Sequence, residues 1–364
     1  MSVGLGILFV FYACVAVQLF MLMLLGIKII FYSEPYRDIN HEKASVIMAA
    51  KNEAENLKKN LPEILAQKHS GFEVIVINDG STDESADILQ LFANQNPHLK
   101  IITLNESKGK KNAIETGIEV AQHEFLVFTD ADCRPVSRFW LSEMLACFEP
   151  GKDLVIAYGP YESKPGLLNK VIRFDTTMVA FQYVSLALWG KPYMAVGRNM
   201  AYRKSLFYKA GKFDAHKHIK SGDDDLFVMT AATSYNTAVC LHPDTFVYSS
   251  PKETWADWIW QKSRHSSTVY NYKMFPAAIL SLMNASFIGV YVFLAIATIW
   301  GFGIKALFFY LFLMANKLFI YSYIYRKLQV KDLWIFTPFL ELIYIFAYFL
   351  IAFQHLIGSK VKWK

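Results

Sequence analysis

Short apolar runs alternate with stretches of helical periodicity in the first third of this chain. The apolar runs, each long enough for one strand, cover residues 44–49, 73–78, 99–104 and 125–129. The helical stretches between them cover residues 54–67, 83–93 and 110–121. Continuous apolar strands that alternate with helices are typical of a mostly parallel sheet covered on both faces. Ser81 and Glu84 have the spacing of a capping box, which predicts that the second helix starts there.

Acidic residues follow the ends of two predicted strands. Asp79 ends the second apolar run, and Asp130 and Asp132 directly follow the fourth. In open α/β sheets, ligands bind outside the carboxyl ends of the strands. Two carboxylates one residue apart repel each other unless a cation lies between them, and Mg²⁺ or Mn²⁺ is commonly held by such carboxylates together with substrate phosphates. This edge of the sheet is therefore predicted to bind a nucleotide diphosphate through Mg²⁺ or Mn²⁺ held by Asp130 and Asp132.

Both ends of the chain are apolar. Runs with few or no charges cover residues 3–27, 275–300, 306–325 and 333–357. Roughly 20 apolar residues cross a bilayer, so each run is long enough to span one. The first run lacks the basic lead and cleavage site of a signal peptide, which favours an uncleaved anchor. We expect a transmembrane helix over 1–30, a cytoplasmic catalytic domain with interfacial helices over 31–274, and a membrane region over 275–364 with about three transmembrane or re-entrant helices.

Composition agrees with a membrane protein. The chain is 54% hydrophobic and 16% aromatic, with a mean hydropathy of +0.24, which is more apolar than an average soluble protein. Its formal charge of +6 fits contact with anionic membrane lipids. No basic stripe with interleaved aromatic residues indicates a nucleic-acid partner. The four cysteines have no CxxC spacing, and a cytoplasmic domain is expected to keep them reduced.

The distribution of basic residues predicts the topology. They follow the first run and separate the third run from the fourth: Lys28, Arg37, Lys43, Arg326, Lys327 and Lys331. The positive-inside rule then places the N-terminus outside and the catalytic domain in the cytoplasm of a multi-pass protein of the cell membrane. Four full spans would, however, place the terminal lysines Lys360, Lys362 and Lys364 outside. The alternative is that one C-terminal segment is re-entrant or lies in the membrane interface.

Seven motifs follow one another in order between residues 45 and 265. They are SVIMAAKNEAEN, VINDGSTDES, SKGKKNA, TDADC, GRNMAYRK, SGDDDLF and QKSRH. In this order they resemble the motifs of membrane-bound family 2 glycosyltransferases, which have the GT-A fold. Three positions depart from the family pattern, since Ala49 replaces a proline, Gly222 replaces the glutamate of Glu-Asp, and His265 replaces the tryptophan of Q-x-x-R-W.

The resemblance implies inverting transfer of a sugar from a nucleotide-diphosphate sugar, with no covalent nucleophile. A general base must take the proton of the acceptor hydroxyl, and the resemblance assigns this role to Asp223. It also implies that Asp130 and Asp132 hold the metal ion, with Asp132 counted as catalytic. Gln261 and Arg264 are expected near the diphosphate or the acceptor. The nucleotide and its phosphates are expected to contact Ala50, Asn52, Glu53, Asp79 and Lys110.

The acceptor is less well defined by the sequence. Residues 167–189 are apolar with a few charges and are predicted to form an amphipathic surface helix, which favours a lipid acceptor over a glycan. A processive polysaccharide synthase is the alternative within the family. A catalytically inactive nucleotide-binding scaffold is the alternative from another class, and the joint presence of Asp130, Asp132 and Asp223 argues against it. A dinucleotide-dependent reductase is excluded because no G-x-G-x-x-G follows the first strand.

The predicted topology can be tested with inserted epitope tags. A tag next to Gln95 should be protected in intact cells, whereas a tag on Met1 should be accessible from outside, because the basic loops keep the catalytic domain in the cytoplasm. The measurement is antibody labelling of intact and permeabilised cells. The reverse labelling pattern would overturn the topology.

Overall fold

The computed structural model describes residues 2–34, 42–219, 221–266 and 268–357. Arg37 and the terminal lysines Lys360, Lys362 and Lys364, on which part of the topology prediction rests, lie outside the described residues.

The described part of the chain contains twelve α-helices, four short 3-10 helices and nine strands. The helices are α1 Ser2–Ile30, α2 Ala54–Leu65, α3 Ser85–Gln95, α4 Lys110–Val120, α5 Trp140–Ala146, α6 Leu167–Leu188, α7 Lys204–Lys209, α8 Asp225–Ala231, α9 Trp255–Ser266, α10 Met274–Ile299, α11 Gly303–Lys327 and α12 Thr337–Ile357. The strands are β1 Ala44–Ala50, β2 Phe72–Asp79, β3 Leu99–Leu104, β4 Phe125–Phe128, β5 Cys133–Pro135, β6 Leu154–Ala157, β7 Met200–Arg203, β8 Thr237–Cys240 and β9 Val247–Ser249.

A seven-stranded sheet with the order β3-β2-β1-β4-β7-β6-β8 forms the centre of the α/β domain. Strands β1 to β4 are parallel to one another, and β7 runs antiparallel to both of its neighbours, β4 and β6. The predicted strands and helices between residues 44 and 129 are confirmed to within a few residues at each end. The predicted capping box is wrong: α3 begins at Ser85, whose backbone N–H donates to Asp83 Oδ1 at 3.0 Å.

Apolar cores cover both faces of this sheet. Successive strand residues point to opposite faces, so Val46 and Met48 of β1 pack on the side of α2, whereas Ile47 packs on the side of α4. Helix α4 approaches the sheet closely at Gly117, where an added Cβ would lie 2.6 Å from the Ile77 side chain. Because β1 to β4 are parallel, their carboxyl ends lie at one edge of the domain.

Helix α6 departs from the prediction of a surface helix for residues 167–189. Most of its side chains are buried, including the charged Arg173 and Asp175. Arg173 forms a two-pronged ion pair with Asp332, at 2.6 Å for both hydrogen bonds, in the short 3-10 helix Lys331–Phe336. The prediction failed because Arg173 and Asp175 are themselves buried and pair with side chains of the short 3-10 helix, α9 and α12.

Four helices are long and apolar enough to cross a membrane: α1, α10, α11 and the segment Lys331–Ile351 that contains most of α12. Helices α1, α10 and α11 pack against one another. Helices α1 and α12 both pack on α6 of the α/β domain, and α12 also packs on α9. Tyr344 of α12 donates to Asp175 Oδ1 at 2.9 Å, and Lys262 of α9 lies 3.0 Å from the same oxygen. Whether this fourth apolar segment spans the membrane or is re-entrant or interfacial stays a prediction.

A buried ion pair joins the C-terminal helices. The Lys317 ammonium of α11 lies 2.9 Å and 3.0 Å from the two carboxylate oxygens of Glu341 in α12. Tyr291 of α10 donates to Glu341 Oε2 at 2.6 Å. Both charged side chains are almost fully buried, and charges inside apolar helices are stable only when they are paired. The pair therefore fixes how α11 and α12 dock.

The substitution Glu341→Ala should lower the free energy of unfolding by about 3–5 kcal/mol, because the Lys317 ammonium would remain buried without its counter-charge. The measurement is thermal or denaturant unfolding in detergent. The double variant Lys317→Met/Glu341→Leu is the control and should recover most of this loss, since apolar residues can replace a buried pair. Equal stability of the single and double variants would contradict the assignment.

Candidate active site

Lys110 links two acidic segments that are distant in the sequence. Its ammonium lies 2.8 Å from Asp130 Oδ1, just after β4, and 3.2 Å from Asp223 Oδ2, before α8. All three side chains are largely shielded from solvent. Burial raises the pKa of Asp130, but the Lys110 charge more than offsets this and holds that pKa below its usual value. Three residues predicted from separate motifs therefore meet at one point.

Asp132 completes a candidate metal site with Asp130. Ligand atoms of Asp130, Asp132 and Cys133 lie within 4.8 Å of one another. Burial and the neighbouring Asp130 charge raise the pKa of Asp132, so a positive charge here would relieve their repulsion. Burial also keeps the Cys133 thiol protonated by raising its pKa, and its Sγ donates to Asp132 Oδ1 at 3.1 Å. The two carboxylates thus fit a hard cation, and Cys133 supports one of them as a donor.

The three consecutive aspartates before α8 have different surroundings. Asp224 caps α8 by accepting the Asp225 N–H at 2.8 Å, and it also accepts the Gly197 N–H at 2.9 Å. Burial and the two adjacent aspartates raise the pKa of Asp224 to about 7. Asp225 accepts hydrogen bonds from the hydroxyls of Thr268 and Tyr272, at 2.5 Å and 2.8 Å. Of the three, Asp223 alone contacts Lys110, so it is the one that faces the site.

Asp79 anchors the loop that leads to Lys110. Its buried carboxylate accepts the Ser107 hydroxyl at 2.8 Å and the backbone N–H groups of Lys108 and Gly109 at 3.0 Å and 3.2 Å. Lys111, the next residue of α4, donates to the carbonyl of His216 at 2.7 Å and so supports the loop before Asp223. These contacts explain the position of Lys110, and a contact of Asp79 with the nucleotide stays a prediction.

The turn after β1 carries the other predicted nucleotide-binding residues. Ala50 is the last residue of β1, and Asn52 has a positive φ of 55°. Asn52 is held by hydrogen bonds with Ser81 and Thr82, which join this turn to the loop after β2. Burial raises the pKa of Glu53, and the charges of Asp132 and Asp130 raise it further. Glu53 therefore lies close to the candidate metal site.

Helix α9 supplies Gln261, Arg264 and His265. Gln261 Nε2 donates to the Tyr161 hydroxyl at 3.3 Å. The Arg264 guanidinium lies 5.7 Å from the Trp260 ring centroid and 3.4 Å from His265 Nε2. Arg264 also contributes to the low pKa of Asp130. Desolvation and the Arg264 charge hold the pKa of His265 well below its usual value, so the residue at the tryptophan position is a neutral imidazole.

Arg198 and Tyr161 belong to the site but were not predicted. Arg198 is the middle residue of Gly-Arg-Asn, and its guanidinium lies 4.8 Å from the Tyr161 ring centroid. Its charge lowers the pKa of both Asp130 and Asp132. The sequence signal for Arg198 was its position in GRNMAYRK, one of the seven family motifs. Tyr161 had no such signal, because only the folded chain brings it next to α9.

Comparison with known proteins identifies the class of this domain. Residues 45–211 match the family model described as Glycosyl transferase family 2. The chain therefore carries a family 2 glycosyltransferase domain and is an enzyme of the glycosyltransferase class, as the motifs predicted.

Two relatives and one solved structure show how far the similarity extends. The chain is 25% identical over 332 residues to the Probable glycosyltransferase YdaM of Bacillus subtilis, covering 88% of this chain and 74% of that protein. It is 36% identical over 91 residues to the poly-β-1,6-N-acetyl-D-glucosamine synthase of Staphylococcus epidermidis, covering 25% of this chain and 22% of that protein. The mannosyltransferase PcManGT from Pyrobaculum calidifontis, solved with GDP-Man and Mn²⁺, has a TM-score of 0.59 at 18% identity over 94% of this chain and 98% of that one. This last similarity supports the GT-A-like fold.

The metal site can be tested through binding. Asp132→Ala should abolish the Mn²⁺-dependent part of nucleoside diphosphate binding, because one of the two carboxylates that fit the cation would be lost. Titration calorimetry with UDP and GDP, with and without Mn²⁺, measures this effect. The matched control is Asp153→Ala, which removes a partly exposed aspartate paired with Arg203. Unchanged Mn²⁺-dependent binding in the folded Asp132→Ala variant would exclude the site.

Proposed function

We propose that this enzyme transfers a sugar, with inversion, from a nucleotide-diphosphate sugar to a lipid acceptor at the membrane. The observation that carries the proposal is the meeting of Asp130, Lys110 and Asp223 at the carboxyl edge of the sheet, with Asp132 beside them. Displacement of a nucleoside diphosphate needs positive charge at the leaving group and a base at the acceptor. These residues provide a candidate for each need within one cleft.

The proposed reaction is a direct displacement at the anomeric carbon. The acceptor oxygen forms a bond to the anomeric carbon while the bond between that carbon and the diphosphate oxygen breaks. Asp223 takes the proton of the acceptor hydroxyl. A divalent cation held by Asp130 and Asp132 would supply charge neutralisation for the leaving diphosphate. Lys110 holds a second positive charge at the same point, and Gln261 and Arg264 extend the site along α9. PcManGT, solved with GDP-Man and Mn²⁺, indicates which donor class and cation to test first.

A lipid acceptor is supported by the contacts between α9 and the C-terminal region. Lys262 lies next to Gln261 in the sequence and forms an ion pair with Asp175 of α6. Tyr344 of the apolar helix α12 donates to the same carboxylate. The helix that carries Gln261 and Arg264 is therefore joined to an apolar segment that is long enough to span a membrane. An acceptor held in the membrane can reach such a site without leaving the bilayer.

The alternative function is that of a processive polysaccharide synthase. It rests on the similarity to a poly-β-1,6-N-acetyl-D-glucosamine synthase. Product length separates the two functions. The purified enzyme should convert a membrane lipid extract and a nucleotide sugar into a product that carries one added sugar, measured by mass spectrometry. A ladder of products with many added sugars would favour the synthase and overturn the single-transfer proposal.

Asp223→Asn should lower the transfer rate by about 10²–10⁴-fold, because the amide cannot accept a proton. Donor binding should change little, since the side chain keeps its size. Asp224→Asn is the matched control and should cost much less, because burial raises the Asp224 pKa to about 7 and an amide resembles its protonated form. Rate measurements at saturating nucleotide sugar test both variants. If Asp224→Asn lowers the rate and Asp223→Asn does not, the general base is Asp224 and the assignment to Asp223 is wrong.

A further inference from the structure

The segment Gly197-Arg198-Asn199 lies beside the segment that carries the candidate base. Asn199 is fully buried, and its Nδ2 donates to the carbonyls of Tyr158 and Thr245 at 2.7 Å and 2.8 Å. On the other side of Arg198, an added Cβ at Gly197 would lie 3.2 Å from Asp224 Oδ2 and 3.5 Å from Asp223 Oδ2. The backbone of Arg198 is thus held on one side by a buried amide and on the other by close contact with the base segment.

The Arg198 guanidinium has a well-defined position. Its Nε donates to the Gly159 carbonyl at 2.9 Å, NH2 donates to the same oxygen at 2.5 Å, and the group lies 4.8 Å from the Tyr161 ring centroid. Residue 159 must lack a side chain for this arrangement, since an added Cβ would lie 2.6 Å from Arg198 Nε. Gln261 donates to the Tyr161 hydroxyl and joins this arrangement to α9.

One edge of the guanidinium is still available for a ligand. Arg198 NH1 makes no hydrogen bond or ion pair with the residues that the structure describes, and the side chain is partly open to solvent. Arg198 is close enough to Asp132 for its charge to favour the ionised carboxylate. A permanently charged guanidinium with free N–H groups is well suited to phosphate oxygens. The contacts on its other edge keep it in place before a ligand binds.

We propose that Arg198 is a phosphate-binding residue of this active site, which donates from NH1 to a phosphate of the donor diphosphate or of a phosphate-bearing lipid acceptor. The inference rests on the proposed function, because it assumes that both substrates meet in this cleft. It assigns a ligand class to a residue that the motif pattern left without a role. It predicts that one of the two substrates loses affinity when the guanidinium is removed, and the measurement identifies which one.

The test compares Arg198→Gln, Arg198→Lys and the control Arg203→Gln in the full-length protein in detergent. Arg203 is the last residue of β7, where it forms an ion pair with Asp153. Binding of UDP and GDP in the presence of Mn²⁺ is measured by calorimetry, with uridine and guanosine as probes that lack phosphate. The Michaelis constant for a polyprenyl phosphate is compared with that for the matching polyprenol.

Loss of one charge-assisted hydrogen bond should lower the affinity for the affected substrate by about 10- to 100-fold. If the phosphate belongs to the donor, Arg198→Gln weakens UDP or GDP binding and leaves nucleoside binding unchanged. If it belongs to the acceptor, Arg198→Gln raises the Michaelis constant for the polyprenyl phosphate and leaves that for the polyprenol unchanged. In both cases Arg198→Lys should retain part of the affinity, and Arg203→Gln should behave like the wild type.

Two results would overturn the inference alone. One is a folded Arg198→Gln enzyme with normal affinity for every phosphate probe. The other is an equal loss of affinity in Arg198→Lys and Arg198→Gln, for probes with phosphate and for probes without it. In that case Arg198 would only stabilise the local structure, through its hydrogen bonds to Gly159. A wild-type enzyme that neither binds UDP or GDP nor transfers a sugar would instead overturn the proposed function, and this inference with it.

Discussion

The contact between Lys110 and two carboxylates is the interaction on which the site depends. Asp130 lies just after β4 and Asp223 just before α8, and without a positive charge between them these two largely shielded carboxylates would repel each other. The position of Lys110 depends in turn on the three hydrogen bonds with which Asp79 holds residues 107–109. The carboxyl edge of the sheet is therefore organised around one ammonium group. A bound diphosphate would meet a site in which a cation already lies beside the candidate base.

Much of the parallel half of the fold could be predicted from the sequence. Its strands are continuous apolar runs, and their helices have clear periodicity, so β1 to β4 and α2 to α4 followed from residue pattern alone. The other half of the sheet, in which β7 is antiparallel to its neighbours, could not be predicted in the same way. Strands β6, β7 and β8 have four residues each. Strand β4 is equally short, but it belongs to the regular alternation of apolar runs and helical stretches that begins at β1, whereas a short apolar run outside such an alternation does not separate strand from helix. Their pairing depends on contacts that only the folded chain makes.

The candidate site shows the same division. Aspartates that follow apolar strands are visible in a sequence, because the chemistry of paired carboxylates does not depend on distant partners. The roles of Asp224 and Asp225 were not visible, since they depend on Gly197, Thr268 and Tyr272. Helix α6 was assigned to the surface for a similar reason. Charged residues in an apolar helix resemble an amphipathic pattern, and only the fold reveals that Arg173 and Asp175 are buried and paired.

Helix α6 also joins the α/β domain to the apolar helices at two separate points. Near one end, Arg173 is bound to Asp332, which follows α11. Just beyond the other end, the Trp189 indole donates to the Leu24 carbonyl of α1 at 2.9 Å. A body attached to two different helices at separate points cannot pivot about either one. The candidate site therefore keeps a set distance from the apolar helices. For the proposed lipid acceptor, the reach of the head group, more than the length of the hydrocarbon tail, would then determine whether the reacting oxygen arrives beside Asp223.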